Sequence, residues 1–138
     1  MAQAVALVGR VLLSLIFILD GMGKVAGPTE TIQSIASHGM PFAQAGYVLA
    51  VIIELGGGLA LLFGWQARAA GAVLALFCLV TAAVFHSNFA DHNMQIQFIK
   101  NLAIAGGMLQ VAAFGAGAFS LDAMLAERKL GGISGSPA

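Results

Sequence analysis

Charged residues are scarce in this sequence. Asp, Glu, Lys and Arg make up 9% of its 138 residues, whereas 59% of the residues are hydrophobic. A soluble domain usually contains about 25% charged residues. The low charge content therefore excludes an ordinary soluble domain and predicts a protein embedded in a lipid bilayer.

Cysteine is also nearly absent. Cys78 is the single cysteine, which excludes an intrachain disulfide, a CxxCH haem attachment and a cysteine-ligated cluster. Its position inside a long apolar stretch predicts a small residue of the core. His86, Asp91 and His92 carry atoms that could bind a metal, but their spacing fits no recognised ligand pattern, so we predict no metal site.

What the sequence does contain is long apolar stretches. A bilayer core about 30 Å thick is crossed by roughly 20 helical residues, and four such stretches fill most of the chain, at about 4–26, 44–63, 67–86 and 98–119. We therefore predict an all-α fold, an integral membrane four-helix bundle that forms a single domain over residues 1–125. Residues 126–138 are predicted to be a flexible polar tail.

The first stretch is interpreted as a retained helix and not as a signal peptide. No Lys or Arg precedes Arg10, and Asp20 and Lys24 fall where the apolar region of a signal peptide should end. After it, Gly27 and Pro28 end the helix, and residues 29–37 have the composition of a short surface helix.

Positive charge is biased towards one end of the predicted bundle. Four spans place both termini and the tight turn at 64–66 on the same side, together with Arg68, Arg128 and Lys129. The positive-inside rule then predicts that both termini are cytoplasmic. The longer connections would face outwards.

Five ionisable residues interrupt the apolar stretches: Arg10, Asp20 and Lys24 in the first, Glu54 in the second and Lys100 in the fourth. Each Arg, Lys or Asp at mid-span opposes insertion by about 2.5 to 3.5 kcal/mol. Such residues are rare in spanning helices and usually face the bundle interior or a functional site. These five positions therefore carry most of the functional information.

Helical periodicity gathers polar and small residues on one face of each span. At about 100° per residue, these faces are predicted to point into the bundle, where small residues let helices approach closely. The faces consist of Arg10, Ser14, Phe17, Asp20, Gly21 and Lys24 in the first span; Tyr47, Ala50, Glu54, Gly57, Gly58 and Leu61 in the second; Arg68, Gly71, Ala75, Ala82 and His86 in the third; and Lys100, Ala103, Gly107 and Gln110 in the fourth.

The predicted depths bring most of the polar groups together. With a rise of about 1.5 Å per residue, Lys24, His86 and Lys100 lie within one turn of the outer boundary, Asp20 lies about two turns in, and Glu54 lies near the midplane. A polar site in the outer half of the bundle is expected. An alternative interpretation without a functional site stays open. In it, Asp20 and Lys24 form an intrahelical pair, and His86 is a residue of the membrane interface.

Arg10 and Gln110 are placed apart from that site. Arg10 lies about four residues from the cytoplasmic end of the first span. We expect it to reach the inner interface or to hydrogen-bond Gln110. Both residues are predicted to be structural or interfacial polar groups.

A set of motifs runs through the spans. It consists of Arg10-Val-Leu-Leu with Phe17, Gly21 and Lys24; Glu54-Leu-Gly-Gly-Gly with Gly64 and Arg68; Phe85-His86; and Phe98-Ile-Lys100-Asn101-Leu-Ala-Ile-Ala-Gly106-Gly107. Over roughly residues 7–119 these motifs resemble the DoxX family of small four-helix bacterial membrane proteins. The resemblance implies an inner-membrane bundle, associated in some members with quinone-linked redox chemistry, including thiosulfate oxidation with quinone as acceptor. Asp20 fits the family pattern less well and rests on geometry.

The leading hypothesis is a membrane subunit of a quinone-linked redox system, which would make the protein part of an oxidoreductase. Asp20, Lys24, Lys100 and Asn101 are predicted to form the ligand-binding set, in which the last three hydrogen-bond a carbonyl or an anion. No cofactor is expected to be covalently bound, and quinone is the candidate ligand. Electrons would come from redox partner subunits or from a reduced substrate.

Proton exchange with that ligand is assigned to Glu54 and His86. Burial favours the neutral form of a carboxyl unless a cation such as Lys100 approaches, so Glu54 is the stronger candidate. Two alternatives stay open: a proton-coupled small-solute carrier, with a homo-oligomer supplying further helices, and a non-catalytic assembly or accessory protein. The lipid bilayer is the expected environment in each case, and no nucleic acid is expected as a partner.

Overall fold

The computed structural model describes residues 1–134, and the regular structure in this part of the chain is helical, with no strands. Four helices are long and apolar enough to cross a membrane, which confirms the predicted all-α, four-span architecture. The helices are α1 (Ala2–Ala26), α2 (Pro28–Ser37), α3 (Ala43–Phe63), α4 (Ala67–Phe85), α5 (His92–Phe114) and α6 (Leu121–Ser134).

The path of the chain defines two ends of the bundle. The turn at 64–66 and the loop at 115–120 lie at the end where α1 begins, which we call the termini end. Helix α2 and the loop at 86–91 lie at the opposite end, which we call the loop end. The predicted short helix at 29–37 is confirmed as α2, with Pro28 at its first position, where a missing N–H is tolerated.

The fourth span differs from its predicted position at 98–119. It begins at His92 because the Asp91 side chain caps it, accepting a hydrogen bond from the Asn93 backbone N–H at 2.8 Å. It ends at Phe114 because Gly115 adopts a positive φ of +83°, which glycine accommodates and which does not continue the helix. The first turns of this helix are polar, so the hydropathy of the sequence is low there. The apolar stretch that predicted the span therefore lies further towards the C-terminus than the helix itself.

The segment at 126–138, predicted as a flexible tail, is helical as far as Ser134. Residues 123–130 consist of Ala, Met, Leu, Glu, Arg and Lys, which are strong helix formers even where the surface is polar. The rest of that prediction, residues 135–138, lies outside the described residues.

Small residues set the distances between the spans. A Cβ on Gly71 of α4 would lie 2.9 Å from the Met108 carbonyl oxygen and 3.0 Å from the Ala112 nitrogen of α5, so these backbones meet where only glycine fits. Cys78 is 2% exposed, as expected for a core residue. The core cluster consists of Phe17, Leu61, Leu74, Ala75, Cys78, Ala105 and Met108.

Helix α5 presents a different face to the bundle from the one predicted. Its buried residues are Ala105 and Met108, whereas Lys100, Ala103 and Gln110 are exposed. The close contact between Gly71 and the α5 backbone decides this orientation, because it turns the residues around Met108 towards α4. The prediction was wrong for this span because α5 has small residues on several faces, and the polar ones do not line its packed side.

Arg10 joins α1 to the loop at 115–120 at the termini end. It is 4% exposed, and its Nη1 and Nη2 donate hydrogen bonds to the carbonyl oxygens of Ala116 (2.5 Å) and Phe119 (2.7 Å). Asp122 holds the neighbouring turn, since its carboxylate accepts from the backbone N–H groups of Gln66 (2.8 Å) and Ala67 (2.9 Å). Arg10 therefore fastens the loop after α5 to α1, and Asp122 fastens the start of α4 to α6. Arg10 does not bond Gln110.

Replacing Arg10 with Met should destabilise the protein by about 2 to 4 kcal/mol, because two carbonyl groups would lose charged donors. The free energy of unfolding, measured by SDS titration of the protein in mixed micelles, tests this. Arg128→Met is the matched control, since Arg128 is exposed on α6. Equal losses for the two variants would contradict this role of Arg10.

Candidate functional site

Glu54 lies in an irregular part of α3. This helix is α-helical over Ala43–Val51 and Gly57–Phe63, but residues Ile52–Gly56 form a π-helical turn. Such turns occur often at functional sites. Glu54 is 2% exposed, so the turn places a carboxyl group inside the bundle and away from lipid.

Gly21 of α1 makes room for this turn. A Cβ at Gly21 would lie 2.8 Å from the Leu55 side chain and 3.3 Å from the Glu54 Cβ. Any larger residue would push α3 away from α1. The small residue thus allows a charged group on α1 to reach Glu54.

Lys24 is that group. Its Nζ lies 2.7 Å from Asp20 Oδ2, one helical turn earlier on α1, and within 3.0 Å of both carboxylate oxygens of Glu54. The side chains of Asp20, Lys24 and Glu54 are 65%, 21% and 3% exposed, respectively. We call these three residues the triad. They form a continuous ionic connection from the protein surface to its interior.

The triad has more acidic than basic groups. Two carboxylates share one ammonium group, so the fully ionised triad carries a net charge of −1, which one proton would neutralise. Glu54 Oε1 accepts the hydrogen bond from Lys24, whereas Oε2, although 2.9 Å from Nζ, has no hydrogen-bond partner of suitable geometry within residues 1–134. A buried, unpartnered carboxylate oxygen is unfavourable in a low dielectric. It is a natural position for a proton or a ligand donor.

Tyr47 supports the triad from α3. Its hydroxyl group donates a hydrogen bond to the Lys24 carbonyl oxygen at 3.3 Å, and it lies two helical turns before Glu54. Its bond satisfies a carbonyl at the end of α1, where no intrahelical donor is left. Tyr47 therefore ties the end of α1 to α3. Sequence periodicity had placed it on the Glu54 face without giving it a partner.

Lys100 and Asn101 do not join the triad. Lys100 is exposed and donates to Gln97 Oε1 at 3.1 Å, and the Asn101 amide donates to the Gln97 carbonyl oxygen at 2.9 Å. Both bonds stay within α5, because this helix packs chiefly on α4. The cation that reaches Glu54 is Lys24 and not Lys100.

His86 belongs to a different group of residues. It follows α4 directly, outside the spanning segments, and its Nδ1 is buried without a hydrogen-bond partner among the described residues. Burial lowers the pKa of His86, and the positive charges of His38 and Lys100 lower it further. The predicted site therefore divides, because His86 lies outside the triad, next to Phe85, whose ring packs against His38.

His38 was missed by sequence reasoning. It ends α2, and no sequence motif assigns it to the site. Its ring packs against the Phe85 ring with centroids 4.7 Å apart. The short length of the 27–43 connection could have indicated that α2 must fold back over the end of the bundle.

Gln110 and an open cavity lie away from the triad. Gln110 is exposed on α5. An open cavity of about 510 Å³ lies at the termini end, near Arg68 and Asp122, far along the bundle from the triad. Within residues 1–134 no three His, Cys, Asp or Glu side chains are grouped so that they could hold a metal ion.

Coupling between Lys24 and Glu54 should be measurable. Removing one partner of a buried ion pair typically costs about 3 to 5 kcal/mol, so Lys24→Met and Glu54→Gln should each destabilise the protein, and the double variant should lose less than the sum. Unfolding free energies in mixed micelles give the coupling. In a matched control cycle, Lys100→Met takes the place of Lys24→Met. Its loss of stability should simply add to that of Glu54→Gln, because Lys100 bonds Gln97 and not Glu54. Additivity in both cycles would rule out the ion pair.

Comparison with known proteins bears on this geometry. The DoxX family model matches residues 5–87, a range that contains the triad and His86. Inner membrane protein YqjF of Escherichia coli K12 is 43% identical over 124 residues, which cover 88% of this chain and 92% of the relative. Inner membrane protein YphA of the same organism is 34% identical over 122 residues, covering 84% and 86%. No solved structure matches the chain significantly.

Proposed function

Because the chain belongs to the DoxX family, we propose that it is the membrane subunit of a quinone-linked redox system, with the triad as its ligand-binding and proton-exchanging site. It is a multi-pass protein of the inner membrane, since it has four spanning helices and its relatives are inner membrane proteins. One observation carries the proposal: Lys24 connects a carboxylate that is buried at mid-bundle with one that is exposed.

Access from the bilayer favours a lipid-soluble ligand. Asp20 lies inside a spanning helix and is nevertheless 65% exposed, and Lys24 is 21% exposed beside it. A polar headgroup that diffuses within the membrane can approach these two residues from the side. Lys24 supplies N–H donors for a carbonyl oxygen, and a carbonyl of the ligand can accept from it without displacing Glu54.

Proton supply is the second requirement. Reduction of a quinone to a quinol consumes two electrons and two protons. Glu54 accepts and releases a proton at its carboxylate, Lys24 shares its hydrogen bonds between Glu54 and Asp20, and Asp20 exchanges protons with the surface. The electrons come from a redox partner or from a reduced substrate. The chain's own residues thus bind the headgroup and move protons.

A proton-coupled small-solute carrier is the second candidate. The net charge of the triad favours it, because uptake of one proton converts the site from −1 to neutral and would change its interactions with the bundle. Uptake by liposomes that contain the purified protein, driven by an imposed pH gradient, distinguishes the two functions. A carrier would accumulate solute without any quinone.

Quinone retention tests the leading proposal. Protein extracted in mild detergent should carry quinone that native mass spectrometry detects, and its affinity for a short-chain quinone should fall at least about tenfold, or about 1.4 kcal/mol, in Glu54→Gln and Lys24→Met. Glu30→Gln, a carboxyl change on the surface helix α2, should leave binding unchanged. Wild-type protein without any quinone affinity, or variants that bind like the wild type, would rule out the quinone site.

A further inference from the structure

The cavity at the termini end is formed by three segments of the chain. Gln66 and Arg68 border it at the start of α4, Phe114 and the loop after α5 border it on another side, and Asp122 borders it from α6. Its volume of about 510 Å³ is in the range of ligand pockets. Because α4 begins and α5 ends beside it, the cavity lies at the depth of the lipid headgroups.

Arg68 contributes a cation without a partner to this cavity. Its side chain is exposed and lies against Gly115, where a Cβ would be 3.4 Å from Nε and 3.9 Å from Nη2. The ion pairs among residues 1–134 are both made by Lys24, so no carboxylate in this range pairs with Arg68. Its planar group of N–H donors is therefore available to a ligand.

The acidic residue of the cavity is already engaged. The two carboxylate oxygens of Asp122 accept from the backbone N–H groups of Gln66 and Ala67. A second cation, Arg10, donates to the Ala116 carbonyl oxygen in the cavity wall. Two cations and one carboxylate give this region a net charge of +1, which favours an anion.

The loop backbone of the cavity wall offers more donors than acceptors. Its carbonyl oxygens are occupied, since Arg10 donates to Ala116, the Ser120 hydroxyl donates to Gly117, and the Ser120 backbone N–H donates to Ala118. The Gly117 backbone N–H, in contrast, donates no hydrogen bond within residues 1–134. A wall of this kind suits a ligand group that only accepts hydrogen bonds, such as phosphate oxygens.

An apolar rim distinguishes a lipid from a free anion. Phe114, the last residue of α5, borders the same cavity and is 77% exposed. Trp65, next to Gln66, is 54% exposed, and tryptophan is typical of the membrane–water interface. A ligand with a phosphate and an acyl chain contacts both Arg68 and Phe114, whereas an inorganic anion contacts only Arg68.

We propose that this cavity binds the headgroup of an anionic phospholipid, in the leaflet on the side of the termini. Arg68 binds the phosphate oxygens through charge-assisted, bidentate hydrogen bonds, the Gly117 N–H donates to the same group, and the acyl chains lie against Phe114. The site goes beyond the redox proposal, because none of its residues belongs to the triad.

Native mass spectrometry of the full chain tests the lipid site. Protein delipidated in maltoside micelles is titrated with phosphatidylglycerol and, separately, with phosphatidylcholine of the same chain length. We expect the first phosphatidylglycerol molecule to bind at least about tenfold more tightly, or about 1.4 kcal/mol, because the choline cation offsets the phosphate charge. Equal affinities of the wild type for the two lipids would overturn the proposal.

Variants separate the cavity from general charge effects. Arg68→Gln, an exposed change, should abolish the preference for phosphatidylglycerol, and Arg68→Lys should retain part of it, since the charge stays and the planar fork is lost. Ala118→Leu fills the exposed rim of the cavity without changing the charge, and it should also weaken binding. The matched controls on α6, Arg128→Gln and Ala126→Leu, change exposed residues outside the cavity and should bind like the wild type.

Three further results would contradict the lipid site. One is a preference for phosphatidylglycerol that persists in Arg68→Gln, and another is an equal loss in Arg128→Gln. The third is displacement of phosphatidylglycerol by inorganic phosphate at equal concentration, which would identify a site for a free anion. All these titrations are made without quinone, so their outcome is independent of quinone binding by the triad.

Discussion

A carboxylate held inside a membrane-spanning bundle needs a cation, and the rest of this structure is arranged so that Glu54 receives one. Lys24 can reach Glu54 only if α1 and α3 approach closely, which Gly21 permits. The π-helical turn Ile52–Gly56 carries the carboxyl on the packed side of α3, and Tyr47 fixes the end of α1. Because an isolated charge in this position would be strongly unfavourable, the ion pair constrains the register of the two helices as firmly as the apolar packing does. The same pair leaves one oxygen of Glu54 without a hydrogen-bond partner among the described residues, so this oxygen can accept a proton or a hydrogen bond from a ligand.

Both ends of the bundle contain buried polar groups whose hydrogen-bonding capacity is only partly satisfied among the described residues. At the termini end, Arg10 donates to two loop carbonyls and Asp122 accepts from the N–H groups at the start of α4, whereas Arg10 Nε has no hydrogen-bond partner among the described residues. At the loop end, His86 Nδ1 has no hydrogen-bond partner among the described residues, whereas His38 Nδ1 lies 2.8 Å from the Ser34 carbonyl oxygen and Lys100 donates to Gln97 Oε1. Between the ends, the spans pack through apolar and small side chains, and within residues 1–134 the polar contacts that join one span to another are those of the triad and of Tyr47. Each unpartnered buried atom marks a position where a water molecule or a ligand is expected.

The sequence predicted the spans and the polar face of α1 because both depend on local patterns. Apolar length defines a spanning helix, and Asp20 with Lys24 at a separation of four residues pairs in any helix. It did not predict which face of α5 is buried, since Ala103, Ala105, Gly106 and Gly107 offer small residues in several directions and the choice is made by Gly71 on another helix. For the same reason Lys100 and Asn101 were assigned to the wrong neighbours. The π-helical turn and the position of His38 over Phe85 depend on packing between distant segments, and no local signal reports them.

The central claim is that Lys24 is the direct ionic partner of Glu54 within the membrane. Solid-state NMR of the protein in lipid bilayers tests it most directly, by dipolar recoupling between a ¹⁵N label at Lys24 Nζ and a ¹³C label at the Glu54 carboxyl carbon. The structure, in which Nζ lies within 3.0 Å of both carboxylate oxygens, predicts a strong coupling that Lys24→Arg removes from the lysine spectrum and that Lys100→Met leaves unchanged. A coupling that is absent between Lys24 and Glu54, and present instead between Lys100 and Glu54, would contradict the account.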